Sequence, residues 1–173
     1  MLQRQAQKKP LQLILTNNML NLLNIFSAKQ KAFFSKEEEE RMVEAIRSAE
    51  MQTSGEIRLY VESHCKMVNP LDRAKELFIQ LEMAKTQDRN AVLLYFAMKD
   101  RQLAILGDEG IHARLGQEFW NDEIKTIIAE FKQHHFVDGI CHMIEDVGNA
   151  LKLNFPYTSD DKNELSDGIV FGK

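Results

Sequence analysis

Cysteine is scarce in this chain: only Cys65 and Cys141 occur, far apart and in no C-x-x-C spacing. That excludes a disulfide framework, and both thiols are expected to be reduced, as in the cytoplasm. Long apolar runs are missing too. The nearest, "LQLILTNNMLNLLNIF", is interrupted by Thr16, Asn17, Asn18, Asn21 and Asn24, well short of the ~18 unbroken apolar residues that a membrane-spanning helix needs. Acids are absent from the first 36 residues, which carry Arg4, Lys8, Lys9, Lys29, Lys31 and Lys36. Taking those six charges from the formal total of −4 leaves the remainder about ten negative. Such a body repels nucleic-acid phosphates, which argues against a DNA or RNA role. There is also no internal repeat with a period of about 20 to 50 residues.

What is present, 173 residues of which 44% are hydrophobic and 28% charged, matches one globular domain with tails. We divide it into an N-terminal extension (1–32), a domain (33–155) and an extended tail (156–173), and expect a monomer. The extension admits three readings: a degenerate targeting segment without an A-x-A-like cleavage site, an amphipathic helix presenting Leu20, Leu23 and Phe26, or a flexible leader with Met19 as the true start.

Ordered structure is expected from "FFSKEEEERMVEAIRSAEMQ". Ser35 and Glu38 form a capping box, and Met42, Val43, Ile46 and Ala49 make a buried stripe, predicting a helix over 36–51. In "SGEIRLYVES", Ile57, Leu59 and Val61 alternate with Arg58, Tyr60 and Glu62, which predicts a strand. Asn69-Pro70 opens a second helix as N-cap and first residue. The run "AVLLYFAM" lacks polar alternation, as a central strand covered on both faces does, and Lys99, Asp100 and Arg101 turn it back into "QLAIL". Beyond Gly107 come a short helical piece over Ile111 to Leu115, a helix carrying Trp120, Ile124, Ile127, Ile128 and Phe131, and a last one carrying Ile140, Ile144, Val147 and Leu151. The tail is expected to pack through Ile169, Val170 and Phe171. Its Asp160, Asp161, Asn163 and Asp167 do not have the spacing of a Ca²⁺ helix-loop-helix. The fold class is α/β: a three-layer sandwich whose central twisted mixed sheet has about four strands, with helices on both faces.

Three places hold residues with chemical potential. "HCKMVNPLDR" has the outline of a cysteine phosphatase loop, but the Cys65-to-Arg73 spacing is two residues too long, and Pro70 interrupts the backbone N–H nest that a phosphate needs. His134, His135, Cys141 and His142 contain zinc-type ligands, although the helix opening at Phe136 to Gly139 separates them. The third place is a sheet edge. If the Asn69 helix is a right-handed crossover between parallel strands, the strand starts share one edge and the hairpin returns there. Glu56, Asp88, Asn90, Asp108 and Glu109 then gather, with Asp122 as a further member: hard oxygen ligands of the kind Ca²⁺ or Mg²⁺ prefers. The ligand set expected from this is Asp88, Asp108, Glu109 and Asp122. A second reading stays open, in which Asp108 and Asp122 are helix caps.

The chain resembles the TPM domain family over roughly residues 33–155. The resemblance rests on "SGEIRLYV", "DRNAVLLYFAMKDRQLAILG" and "FKQHHFVDGI", and on Asp88, the Asp100-Arg101 turn, Gly107, Asp122 and Asp138-Gly139 within and around them. "FFSKEEEERMVEAI" and "GDEGIHARLG" are similar to a shorter soluble branch common in bacteria. Ala91 stands where the family usually has glycine, and G-D-E-G-I replaces a shorter G-x-G. The resemblance implies a four-stranded sheet flanked by helices, divalent-cation binding, acid phosphatase activity as in one plant branch, and association with a protein partner, often in a membrane complex. The expected function is therefore a cytoplasmic, non-catalytic or weakly catalytic module that binds Ca²⁺ or Mg²⁺ and acts through a partner, with a metal-dependent acid phosphatase as the alternative and, as a third reading, a scaffold whose basic N-terminus touches anionic lipid while the domain binds protein; no catalytic residue is named.

Overall fold

A computed structural model describes residues 33–158 and 168–172. The three readings of the extension, and the four tail residues compared with a Ca²⁺ loop, lie outside the described residues.

The first helix, α1 (Lys36–Glu50), starts as its capping box dictates: the Glu38 backbone N–H donates to Ser35 Oγ, and the Ser35 N–H donates to the Glu38 carboxylate at 2.7 Å. It stops one residue earlier than its periodicity suggested, with Met51 as C-cap. Strand β1 (Ile57–Glu62) leads to α2 (Pro70–Gln80), where Asn69 Oδ1 accepts from the Leu71 N–H at 2.8 Å. A single 3-10 turn at Met83–Lys85 precedes β2 (Val92–Ala97) and β3 (Gln102–Gly107), joined by the expected tight turn in which Arg101 takes a left-handed φ of 55°. Helix α3 (Glu109–Lys132) is bent at Gly116, whose φ of 72° suits a residue without Cβ. That bend separates the two helical pieces read from sequence. Helix α4 (Phe136–Asn154) follows, and then the two-residue β4 (Val170–Phe171).

The sheet order is β3-β2-β1-β4, with β1 parallel to β2 and β4, and β2 antiparallel to β3. The register sets Ile57 beside Val92 and Val92 beside Gly107, so Glu56, Asn90 and Asp108 fall at one edge. Residues of one face alternate along each strand. One face carries Val92, Leu94 and Phe96 and packs on α3, where Phe96 and Phe131 rings lie 6.0 Å apart; α1 and α4 complete that layer. The other face carries Tyr60, Glu62 and Tyr95 and is covered by α2.

All six β1 residues are buried, so the alternation of Arg58, Tyr60 and Glu62 does not mark a wet face. The reason lies in α2. Arg73, 4% exposed, donates from Nε and Nη2 to the two oxygens of Glu62, each at 3.0 Å, while the Tyr95 hydroxyl donates to Glu62 Oε1 at 2.7 Å. Arg73 also reaches Glu76 at 2.6 Å and lies 5.9 Å from the Tyr60 ring centre. A carboxylate with no exposure is tolerated because its oxygens are met by a fork of matching donors.

Candidate functional site

At the edge where β1 and β2 begin, the chain takes a sharp course through Asp88, Arg89 and Asn90. Arg89 has a left-handed φ of 53°, and its carbonyl accepts from the N–H of Gly110 at 2.8 Å. That conformation turns the Arg89 guanidinium onto the start of α3. Its Nε and Nη2 donate to the two oxygens of Asp108 at 2.6 and 2.8 Å, and Nη1 lies 3.1 Å from Glu109. Asp108, 6% exposed, is also the N-cap of α3, where its Oδ1 accepts from the Glu109 N–H at 2.7 Å. The capping reading of Asp108 is therefore what the geometry shows, with a guanidinium where a metal ion was expected. The hydrogen bond and charge of Asp108 hold the Arg89 pKa above its ordinary value.

Asp88 lies on the other side of the same loop. The Ser54 hydroxyl donates to its Oδ2 at 3.3 Å, and the Asn90 amide donates to Ser54 Oγ at 3.2 Å. Asn90 is 1% exposed, yet its Oδ1 has no hydrogen-bond donor among the described residues. A buried amide oxygen left in that state costs about 1–3 kcal/mol. At this edge it is an acceptor that a positive partner would satisfy.

Asp122 does not join the edge. It lies inside α3, six residues past the bend, with its exposed carboxylate 2.7 Å from Lys125 Nζ, and it caps nothing. Of the expected four ligands, then, Asp108 and Glu109 share one arginine, Asp88 stands with Ser54 and Asn90, and Asp122 is elsewhere on α3. Among the described residues, no three His, Cys, Asp or Glu side chains converge as a metal site.

The remaining sequence candidates resolve differently. Arg73 is spent on Glu62 and Glu76, so "HCKMVNPLDR" has no free arginine for a phosphate; Asp100 instead gathers the loop, accepting from the Cys65 N–H and lying 2.7 Å from His64 Nδ1. Cys65 and Cys141 are both free thiols. His135 and His142 do approach one another's partner, with their Nδ1 atoms 3.3 and 3.9 Å from Glu130, a residue the sequence reading passed over.

No helix among the described residues is long and apolar enough to cross a membrane. Comparison with curated proteins finds no match. The TPM domain family model matches residues 27–150, and a solution structure, that of the BA42 protein from the psychrophilic bacterium Bizionia argentinensis, is 40% identical. The chain belongs to the TPM domain family. The BA42 likeness has a TM-score of 0.77 and covers 83% of this chain and 99% of that one. The four-stranded mixed sheet between helical layers is thus the TPM fold, and at its edge Arg89 clasps Asp108 and Glu109.

Proposed function

We propose that this TPM domain is a non-catalytic module that binds Ca²⁺ or Mg²⁺ at the edge formed by Ser54, Asp88 and Asn90, and acts through a protein partner. The observation that carries this is Asn90 Oδ1, a buried acceptor without a donor among the described residues, linked through Ser54 to the carboxylate of Asp88. A hard cation suits an amide oxygen, a hydroxyl and a carboxylate. Asp108 and Glu109 enter the shell only when Arg89 releases them, so the free-standing site has one negative ligand and is weak, with Kd about 0.1–1 mM. Asp122 has no place in it.

Titrating CaCl₂ and MgCl₂ into the full chain while following backbone amide NMR shifts tests this. Shifts are expected at Ser54 and at Asp88 to Asn90, weakened about tenfold by Asn90→Ala and lost with Asp88→Asn. Arg89→Gly keeps the left-handed backbone accessible and frees two carboxylates, so it should tighten binding by about tenfold. Shifts confined to other regions, or unchanged by both Asn90→Ala and Asp88→Asn, reject the site. The phosphatase alternative requires the same edge to release phosphate from p-nitrophenyl phosphate at acidic pH, and to lose that activity with chelator and with Asp88→Asn. Turnover with that pattern would replace the binding-only reading.

A further inference from the structure

Helices α1 and α4 run side by side in the same direction: Arg41 donates to Asp138 at 2.6 Å near one end, and Lys152 donates to Gln52 at 2.7 Å near the other. They approach most closely through small residues. A Cβ on Gly148 would lie 2.5 Å from the Ala49 Cβ, and Ala45, Ala49 and Gly148 form the floor of an open groove of about 830 Å³. Its walls are acidic and exposed. Glu37, Glu40 and Glu44 stand on α1 and Glu145 on α4, and neither Glu37 nor Glu145 has a hydrogen-bond or ion-pair partner among the described residues. The two cations in the lining, Arg41 and Lys152, are the ones already engaged by Asp138 and Gln52. The groove begins where α1 begins, and what precedes α1 in the chain is the basic, acid-free segment that ends in Lys29 and Lys31.

We propose that this groove is the seat of the chain's own residues 20–31, laid back along it as an amphipathic helix, with Lys29 and Lys31 on Glu37 and Glu40, and with Leu20, Leu23 and Phe26 over Ala45, Ala49 and Gly148. Charge selects a cationic occupant, and small floor residues leave room for large apolar ones. Length agrees as well. As a helix, Leu20 to Lys31 spans about 16 Å, and α1 from Glu37 to Ala49 spans about 18 Å. The chain bends at Phe33 and Phe34, and the four residues from Ala32 to Ser35 suffice for a reversal between antiparallel helices, whose loops run to about 2–8 residues. Tethering favours this segment over the same segment of a second copy, because its effective concentration is in the mM range. Exposed ion pairs are individually weak and screened by salt, so the seat loosens as salt rises. No residue of the cation edge lines the groove, so the metal titration and the test below fail independently.

The test uses the full chain in three forms: wild type, Lys29→Glu with Lys31→Glu, and Leu20→Asp with Leu23→Asp. In wild type, NOEs are expected from the Leu20 and Leu23 methyls to the Ala49 methyl and the Gly148 α-protons. Both double variants are expected to shift the amides of Ser48, Ala49, Gly148 and Asn149, which are far from the substitutions in sequence. They should also lower deuterium-exchange protection of residues 20–26 at least tenfold. Raising NaCl from about 50 to about 500 mM should move the same groove amides in wild type and leave them in place in the Lys29→Glu, Lys31→Glu form. Absence of the NOEs, or groove amides unmoved by both double variants, overturns the assignment. NOEs that arise only between chains, in a mixture of labelled and unlabelled protein, also overturn it by making a second copy the occupant.

Discussion

Arg73→Met is expected to destabilise the protein by about 3–5 kcal/mol, because it leaves the wholly buried Glu62 carboxylate without a counter-charge. In a chain of this size that corresponds to a fall in Tm of roughly 10 °C, and urea denaturation followed by circular dichroism will measure it. Burial alone pushes the Glu62 pKa up, but the hydrogen bonds from Arg73 and Tyr95 outweigh it, and the net shift is downward. Glu62 therefore adds stability above its ordinary pKa and withdraws it as pH falls through the lowered one. Removing Arg73 reverses the slope. Burial then dominates, the Glu62 pKa rises, and acidification should stabilise the variant where it destabilises the parent. Glu62→Leu in the Arg73→Met background should restore most of the loss, since a buried pair replaced by apolar groups is often neutral. If the double variant is no better than Arg73→Met alone, the cost comes from lost packing on the Tyr60 ring rather than from the stranded charge.

Much of this architecture is legible in the sequence because its signals are local. The Ser35 box, Asn69-Pro70 and the turn at Arg101 are each written within four residues, and the parallel crossover follows from a strand, a helix and a strand in order. The same logic correctly placed Glu56, Asn90 and Asp108 at one edge. It did not reveal which charges there are already satisfied. The left-handed conformation of Arg89, a residue with no special preference for it, is what carries its guanidinium to Asp108, and nothing in "QDRNAV" announces that turn. Asp122 looked like a cap because Gly116 hides the real break six residues earlier. The alternation that places Glu62 reports on one strand alone, whereas its partner comes from a helix eleven residues away. Pairings between elements decide the chemistry of a charged residue, and a single sequence does not contain them.

Glu123→Gln is expected to make the protein more stable above neutral pH. Glu123 lies on α3 with one carboxylate oxygen buried and lacking a hydrogen-bond partner among the described residues. Burial, reinforced by the negative charges of Asp146 on α4 and Asp122, pushes its pKa from an ordinary 4.5 up to about 7. A carboxyl whose folded pKa is raised contributes its stability in the protonated form and loses it as pH climbs through the folded value. The shift sets a ceiling of roughly 3 kcal/mol on the loss by pH 8, and partial solvent screening brings the expected figure to about 1–2 kcal/mol. Glutamine keeps the shape and cannot ionise, so the two proteins should have similar urea midpoints at pH 4.5 and diverge in favour of Glu123→Gln by pH 8. His112 titrates in an overlapping range with the opposite effect: burial lowers its pKa, so it withdraws stability as pH falls. Being common to both proteins, it cancels in their difference. A gain of the same size at pH 4.5 and pH 8 would mean that Glu123 is not ionising inside α3, and that relief of a steric or hydrogen-bonding conflict is responsible instead.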